Sequence, residues 1–215
     1  MLSSLSPLGG GVALFNIMIG EMVFGGIGTG LCHMLMFTLL TVFLCGLMVG
    51  RTPEFLGKKI ERTEIQWIVL AILTPSALVL IGAGLFSVWP ATLSGIGNAG
   101  PHGLTEILYA FASSAGNNGS SFASLQTNTL PYNLALGLVI LIARIVIILA
   151  SLGIAGSLSK KTISPPSVGS LSTNSFMFAV LLTSIILTVG ALSFFPALSL
   201  GPIAEEILML DGRTF

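Results

Sequence analysis

Residues 104–121 read LTEILYAFASSAGNNGSS, and this stretch decides which fold the chain can adopt. Its first part, residues 104–115, is mildly apolar and as a helix would span about 18 Å, roughly half of a bilayer. Residues 116–121 are weak helix formers that tolerate unusual backbone angles. Irregular backbone survives at membrane depth only against protein or water. The pattern therefore predicts a short helix that enters a membrane and returns through a loop.

The composition indicates a membrane protein. Hydrophobic residues make up 53% of the chain and charged residues 7%, with a mean hydropathy of +1.01, whereas a soluble domain carries about 25% charged residues. The formal net charge is zero. Because no basic run is present, we exclude a nucleic-acid binder. Cys32 and Cys45 both lie in one apolar stretch, where a cysteine usually serves as a small buried hydrophobic residue.

Four apolar stretches approach or exceed the length of about 20 residues that crosses a bilayer. They are residues 31–50, 67–89, 134–158 and 176–200. Lysine and arginine are concentrated in two connections, 51–64 and 159–174. The positive-inside rule predicts that both are cytoplasmic, and that loop 91–130 and the C-terminus lie outside. For both cationic loops to share a side, the chain between them must cross an even number of times, which the stretches 67–89 and 134–158 already achieve, so we expect residues 104–115 to enter the membrane and return.

The start of the chain repeats the pattern, with a short apolar piece at 8–20, a glycine-rich stretch at 22–28 and a long helix at 29–50. We predict an all-α integral membrane protein with two helix–pore-loop–helix repeats. The first repeat, 1–64, lacks its leading helix, the second covers 65–174, and residues 175–215 form a final transmembrane helix and an outer tail. In the second repeat we expect a transmembrane helix at 65–90, an outer loop at 91–103, a pore helix at 104–115, a filter at 116–121 and a transmembrane helix at 131–158.

The two glycine-rich loops are candidate ion filters, because backbone carbonyls that point inward can replace the hydration shell of potassium. The candidate filter residues are Phe24, Gly25, Gly26, Ile27, Gly28, Gly116, Asn117, Asn118, Gly119 and Ser120. Glycine also serves close helix packing, but the re-entrant placement favours the filter. For the two asparagines we expect side chains that brace the loop rather than bind the ion.

Charged residues inside the apolar segments are further candidates. Arg144 lies near the middle of a crossing segment, where a charge costs about 2.5–3.5 kcal/mol, so we expect it beside the ion path; a structural arginine that binds helix-end carbonyls is the alternative. Glu106 lies on the outer side, where a carboxylate attracts cations. For Glu21, His33 and His102 we expect structural or solvated roles, since neither histidine has a partner at metal-ligand spacing.

No phosphate loop, no phosphorylation sequence and no nucleophile–base pair occurs in the sequence. The chain therefore has no catalytic site of its own by a known route, and energy for transport must come from a partner.

Six motifs carry a resemblance to a known family. They are SPLGG at 6–10, GEMVFGGIGTGL at 20–31, GRTPEFLGKKIE at 50–61, NAGPHGLTEILYAF at 98–111, SSAGNNGSSFASL at 113–125 and FPALSLGPIAE at 195–205. Together they resemble the C-terminal part of the channel-like, potassium-binding A subunit of the Kdp potassium-transporting ATPase.

The resemblance implies the four-repeat architecture of the superfamily of potassium transporters, with residues 24–28 as the third filter and 116–120 as the fourth. Potassium is then the only ion bound, and Arg144 matches a family arginine near the ion path. Implied partners are the P-type ATPase catalytic subunit, which uses ATP, a small accessory subunit, and lipid of the bacterial plasma (inner) membrane. About half of the family's chain is absent, which suggests a separate N-terminal half.

Two alternatives remain open at this point. The chain could be a non-functional or assembly-only fragment of that subunit. A Trk- or Ktr-type potassium channel subunit shares the four-repeat plan, although the motif at 50–61 resembles the pump subunit instead.

Overall fold

The computed structural model describes residues 5–20, 29–50, 52–163 and 173–212. It is mostly helical, which confirms the predicted all-α membrane fold. The helices are α1 (Pro7–Met18), α2 (Thr29–Met48), α3 (Arg62–Phe86), α4 (Pro90–Leu93), α5 (Pro101–Ala115), α6 (Leu130–Ser159), α7 (Phe176–Leu198) and α8 (Ala204–Leu210). A π turn, Ser199–Ile203, joins α7 to α8, and strands β1 (Glu54–Phe55) and β2 (Lys58–Lys59) form a hairpin.

Four helical segments of the described chain are long and apolar enough to cross a membrane. They are Gly30–Met48, Arg62–Phe86, Leu130–Ser159 and Phe176–Leu210. Each contains or largely overlaps one of the apolar stretches found in the sequence. The chain is therefore a multi-pass membrane protein by helix length and composition.

The short hairpin lies within residues 51–64, which the sequence analysis assigns to a loop. Glu54 pairs with Lys59 and Phe55 with Lys58 in antiparallel register. The two turn residues, Leu56 and Gly57, have φ of 51° and 73°. Positive φ at both central positions is the type I′ turn that matches the twist of a two-residue hairpin.

The described chain divides into two compact units, and the long helices α3, α6 and α7 each contribute to both. In the first unit, which contains α1, α5 and α8, the π turn packs against all three helices. A Cβ on Gly11 would lie 2.9 Å from Cβ of Pro202, and one on Gly201 would lie 2.9 Å from Oγ1 of Thr105. Glycine at these two positions therefore permits the close approach.

The second unit contains α2, the hairpin and the adjoining parts of α3, α6 and α7. Strand β1 packs on α2. Trp67 of α3 lies against Gly153 of α6, where an added Cβ would be 2.7 Å from the indole ring. The small residue lets these two helices approach closely, as is usual between membrane helices.

The chain stays helical beyond residue 200, the end of the last apolar stretch in the sequence, where an outer tail is predicted. Pro202 has no N–H and its ring would clash with the carbonyl four residues earlier in an α-helix. The wider π turn at Ser199–Ile203 accommodates it, and the helix resumes at Ala204. Single-turn π segments are the usual form of this distortion.

Candidate functional site

Helix α5 is the centre of the candidate site. Every residue from Thr105 to Ala115 is buried. By contrast, in the most apolar 18-residue segment of each of the four membrane-spanning helices, only 22–39% of the segment is buried. A helix of this length covers about 22 Å, less than the hydrocarbon thickness. Helix α5 is thus a short helix enclosed by protein, and it begins three residues before the predicted start because Pro101 occupies the first helical position.

The C-terminal end of α5 is closed by a Schellman motif. The N–H of Asn118 donates to the Ser113 carbonyl at 2.9 Å, and the N–H of Asn117 donates to the Ser114 carbonyl at 3.1 Å. Asn117 has φ of 56°, the left-handed conformation that this motif requires and that asparagine tolerates. Asn117 therefore ends the helix.

The loop that follows is held by side-chain hydrogen bonds. Asn118 Oδ1 accepts from the Ser120 N–H at 3.1 Å and from the Ser120 hydroxyl at 2.5 Å. The Ser120 hydroxyl also lies 2.8 Å from the hydroxyl of buried Tyr109 on α5. These contacts fix residues 118–120 back onto the helix that precedes them.

Gly119 is the second residue of this segment with positive φ, at 82°. It is exposed, and a Cβ added there would meet nothing within 4 Å. Glycine is thus required by backbone conformation and not by space. At Gly116, in contrast, a Cβ would lie 3.3 Å from the Ala112 carbonyl oxygen and 3.4 Å from Ile17.

Helix α1 packs directly on α5. The structure therefore brings together the two short helices that the sequence predicts as pore helices. Helix α1 is followed by Gly20, which has φ of 94°. The predicted filter residues Phe24, Gly25, Gly26, Ile27 and Gly28, and also Glu21, lie outside the described residues.

Glu106 is fully buried on α5 and accepts several hydrogen bonds from loops. Its donors are the Gly97 N–H at 3.1 Å, the Asn98 amide at 3.1 Å and the Ser124 hydroxyl at 2.5 Å. These bonds satisfy the buried carboxylate with polar partners from both loops. Glu106 therefore joins the loop before α5 to the loop after it, a role that the sequence does not reveal.

His102 lies between two carboxylates. Its Nδ1 is 2.6 Å from Oε1 of Glu205 on α8, and its Nε2 is 3.4 Å from Oε1 of Glu106. The side chain of His102 is 16% exposed and that of Glu205 is 9% exposed. Sequence reasoning missed this contact because the two residues are 103 positions apart.

Arg144 is half-buried in the middle of α6, and His33 is buried on α2. Arg144 lies about 21 Å along α6 from Leu130, at the rise of 1.5 Å per residue. Within the described ranges no cluster of three or more histidine, cysteine, aspartate or glutamate side chains could hold a metal ion.

A second buried carboxylate, Glu64, lies in the other unit. It accepts from the Glu61 N–H at 2.7 Å, from the Lys161 ammonium at 2.8 Å and from the Ser157 hydroxyl. The bond to the Glu61 N–H is the carboxylate half of a capping box at the start of α3, although glutamate is not one of the residues that usually mark an N-cap in a sequence.

Lys161 joins the two cationic connections of the chain. It also bonds to the Glu61 carboxylate at 3.1 Å and to the Lys59 carbonyl at 2.8 Å. Burial lowers the pKa of Lys161, but the hydrogen bonds and charges of Glu64 and Glu61 outweigh burial and leave the pKa above its ordinary value. The residues before α3 and after α6 are therefore fastened together.

Four long apolar helices, together with the buried helix α5, which is too short to cross a bilayer and ends in irregular backbone, define a class: multi-pass membrane proteins with a half-length helix packed among the crossing helices. Within that class the chain belongs to the KdpA family, described as Potassium-transporting ATPase A subunit, whose family model matches residues 1–207.

Relatives from several bacteria carry the name "Potassium-transporting ATPase potassium-binding subunit". The one from Leptospira interrogans is 51% identical over 216 residues, covering 100% of this chain and 39% of its own length. That from Rhizobium rhizogenes is 49% identical over 215 residues, with 100% and 38% covered. That from Geotalea uraniireducens is 51% identical over 210 residues, with 98% and 36% covered. The chain thus spans well under half the length of these relatives.

Proposed function

We propose that this chain is the C-terminal portion of the potassium-binding and translocating subunit of an ATP-driven potassium import complex, and that residues 116–120 line a potassium site with backbone carbonyl oxygens. The observation that carries this proposal is the end of α5. A helix buried on every side leads into a segment in which Asn117 and Gly119 both have positive φ. Carbonyl rings that replace the hydration of potassium need irregular backbone of this kind.

The packing of α1 against α5 supports a second filter segment next to the first. In this proposal residues 24–28 follow α1 as 116–120 follow α5, and the two segments form half of a four-sided site. The N-terminal part of the subunit supplies the other two sides. Tight fastening of Asn118 and Ser120 to α5 favours a bracing role for these side chains and leaves ion contact to the backbone.

Glu106 and Arg144 are the proposed charges of the ion path. Buried Glu106 adds a negative charge close to the outer loops at 97–98 and 124, where it attracts cations toward the mouth. Half-buried Arg144 in the middle of α6 repels cations and limits how far potassium moves before it passes to a partner. Both roles act through charge, so neutral variants test them.

The proposed complex lies in the bacterial inner membrane and contains a P-type catalytic subunit, which hydrolyses ATP, and a small accessory subunit. The contact of Lys161 with Glu61 and Glu64 supports a common side for the two cationic connections. The positive-inside rule assigns that side to the cytoplasm. Loop 91–130 and the C-terminus then face outside.

Substitution of Gly119 tests the proposed filter, and Gly137 on α6 provides the matched control. A Cβ meets nothing within 4 Å at either position, but only Gly119 has positive φ. Gly119→Ala therefore strains the backbone by about 1–2 kcal/mol, which is a factor of about 5–30 in an equilibrium constant. We expect a rise of that size in the KM for potassium uptake by the complete complex.

Uptake of rubidium-86 is measured in a potassium-uptake-deficient bacterium that expresses the complete complex. The Gly137→Ala control should behave as the unsubstituted chain does. Equal potassium dependence for Gly119→Ala and Gly137→Ala would contradict the proposed filter.

Capture of the tagged chain from native membranes, with mass spectrometry of the proteins that accompany it, separates the pump from the alternative of an assembly-only fragment. Co-purification of the N-terminal half and the ATPase subunit supports the pump. Recovery of the chain alone supports an assembly-only fragment.

A further inference from the structure

We infer that the first turn of α8 braces both short helices at their N-terminal ends, and that Glu205 is a positioning residue for the segment 116–120. The inference rests on the proposed function only in naming that segment as the filter. The brace itself depends only on contacts within the first unit.

Two neighbouring glutamates of α8 contact equivalent positions on the two short helices. Glu205 Oε1 lies 2.6 Å from Nδ1 of His102, the second residue of α5. Glu206 Oε2 accepts from the N–H of Leu8, the second residue of α1, at 3.3 Å. Carboxylates near helix N-termini are stabilised by the helix dipole and by the free N–H groups there. One turn of α8 therefore holds the start of both helices.

The contact of His102 with two carboxylates is the stronger of these attachments. Both ring nitrogens face carboxylate oxygens, Glu205 at 2.6 Å and Glu106 at 3.4 Å. The 2.6 Å contact with Glu205 is the short distance expected of a hydrogen bond to a carboxylate, and such bonds are about twice as strong as neutral ones. His102 thus joins α8 to α5 through its contacts with the two carboxylates.

Two routes lead from His102 to the segment after α5. The His102 ring packs edge-to-face on Phe122 and Phe122 packs likewise on Tyr109, whose hydroxyl contacts Ser120. On the other side of the ring, Glu106 accepts from Ser124 in the same loop. We therefore expect a shift of the His102 ring to displace the loop at both Ser120 and Ser124. Glu205 acts on residues 116–120 through these contacts and does not touch the proposed ion.

Hydrogen exchange at residues 116–122 tests the brace in the full chain, purified in lipid nanodiscs. Glu205→Gln keeps the shape of the side chain and removes its charge, and Asp211→Asn removes one charge from the exposed end of the same helix. We expect Glu205→Gln to raise exchange in this segment by about tenfold, because local opening free energy falls when a buried charged contact is lost. Equal exchange in the two variants would overturn the inference.

A double-mutant cycle with His102→Gln separates positioning from a general loss of stability. If Glu205 acts through His102, the double variant should exchange no faster in this segment than either single variant. Additive effects would overturn the inference. Glu205→Asp provides a milder change should Glu205→Gln not fold, and we expect exchange between that of the unsubstituted chain and that of Glu205→Gln.

In the complete complex, Glu205→Gln should lower the preference for potassium over sodium in uptake, while Asp211→Asn leaves it unchanged. A changed exchange rate with unchanged ion preference would overturn the role of Glu205 in positioning a filter. The exchange measurement requires no transport. A negative result for the brace is therefore distinguishable from a negative result for the proposed function. The Gly119→Ala and Gly137→Ala pair tests the proposed function separately.

Discussion

Glu64 and Glu106 are both fully buried carboxylates, yet their surroundings differ. Glu64 has a lysine partner, Lys161, at 2.8 Å, so its charge is balanced within the cluster. The bonds that the structure describes for Glu106 come from a backbone N–H, an amide and a hydroxyl, with His102 at 3.4 Å. Burial alone therefore does not indicate function: Glu64 fastens the two cationic connections, and Glu106 joins the loops on either side of α5.

The largest expected effect is that of Glu106→Gln, measured beside Glu64→Gln. Either change weakens several hydrogen bonds to a charged acceptor, each worth about 1.5–3 kcal/mol, so both should lower the temperature of thermal unfolding in detergent. Of the two, only Glu106→Gln should also weaken potassium binding by the complete complex, because Glu106 is the proposed charge of the outer mouth and Glu64 lies in the other unit. If Glu64→Gln weakens potassium binding as much as Glu106→Gln does, the distinction between the two clusters fails.

A smaller effect is expected from removing single hydroxyl groups near Glu106. The Tyr109 hydroxyl contacts Ser120 at 2.8 Å, whereas the Tyr132 hydroxyl is buried without a hydrogen-bond partner among the residues that the structure describes. Tyr109→Phe should lower the unfolding free energy by about 1 kcal/mol and Tyr132→Phe should leave it unchanged or raise it. The same loss of stability in both variants would show that the Tyr109 contact does not hold the loop.

The smallest effect concerns the pH dependence of the Glu64 cluster. The pKa of Lys161 is raised in the folded chain, where the bonds and charges of Glu64 and Glu61 outweigh the opposing effect of burial. A raised lysine pKa contributes stability that is fully present below the unfolded pKa of about 10.4 and is lost as pH rises through the folded pKa. The stability difference between the unsubstituted chain and Lys161→Gln should therefore be constant from pH 7 to 9 and shrink above about 10.4. A difference that grows at high pH would contradict this assignment.

The sequence predicted the elements of the fold better than the contacts of the site. The length and position of α5 followed from an apolar stretch too short to cross a bilayer. The positive φ angles occur at Asn117 and Gly119, within the loop that was predicted to have unusual backbone angles. The partners of Glu106 come from loops on both sides of α5, and Glu205 approaches His102 from 103 residues away. Periodicity and spacing describe neighbours along the chain, so contacts made through tertiary packing are not visible in them.

Local signals could have refined the prediction further. Pro101 marks the first residue of α5. The hairpin at 54–59 has no such signal, because Leu56 in the left-handed region is an unusual choice for a turn. The filter predicted at 24–28 stays a prediction, since those residues lie outside the described ranges.

The proposed function depends on backbone binding of potassium by residues 116–120. Hydrogen exchange of this segment in the complete complex, compared in potassium chloride and in sodium chloride at equal ionic strength, tests this binding directly. We expect slower exchange at 116–120 in potassium, and no such difference in Gly119→Ala. Identical exchange in the two salts for the unsubstituted complex would contradict it.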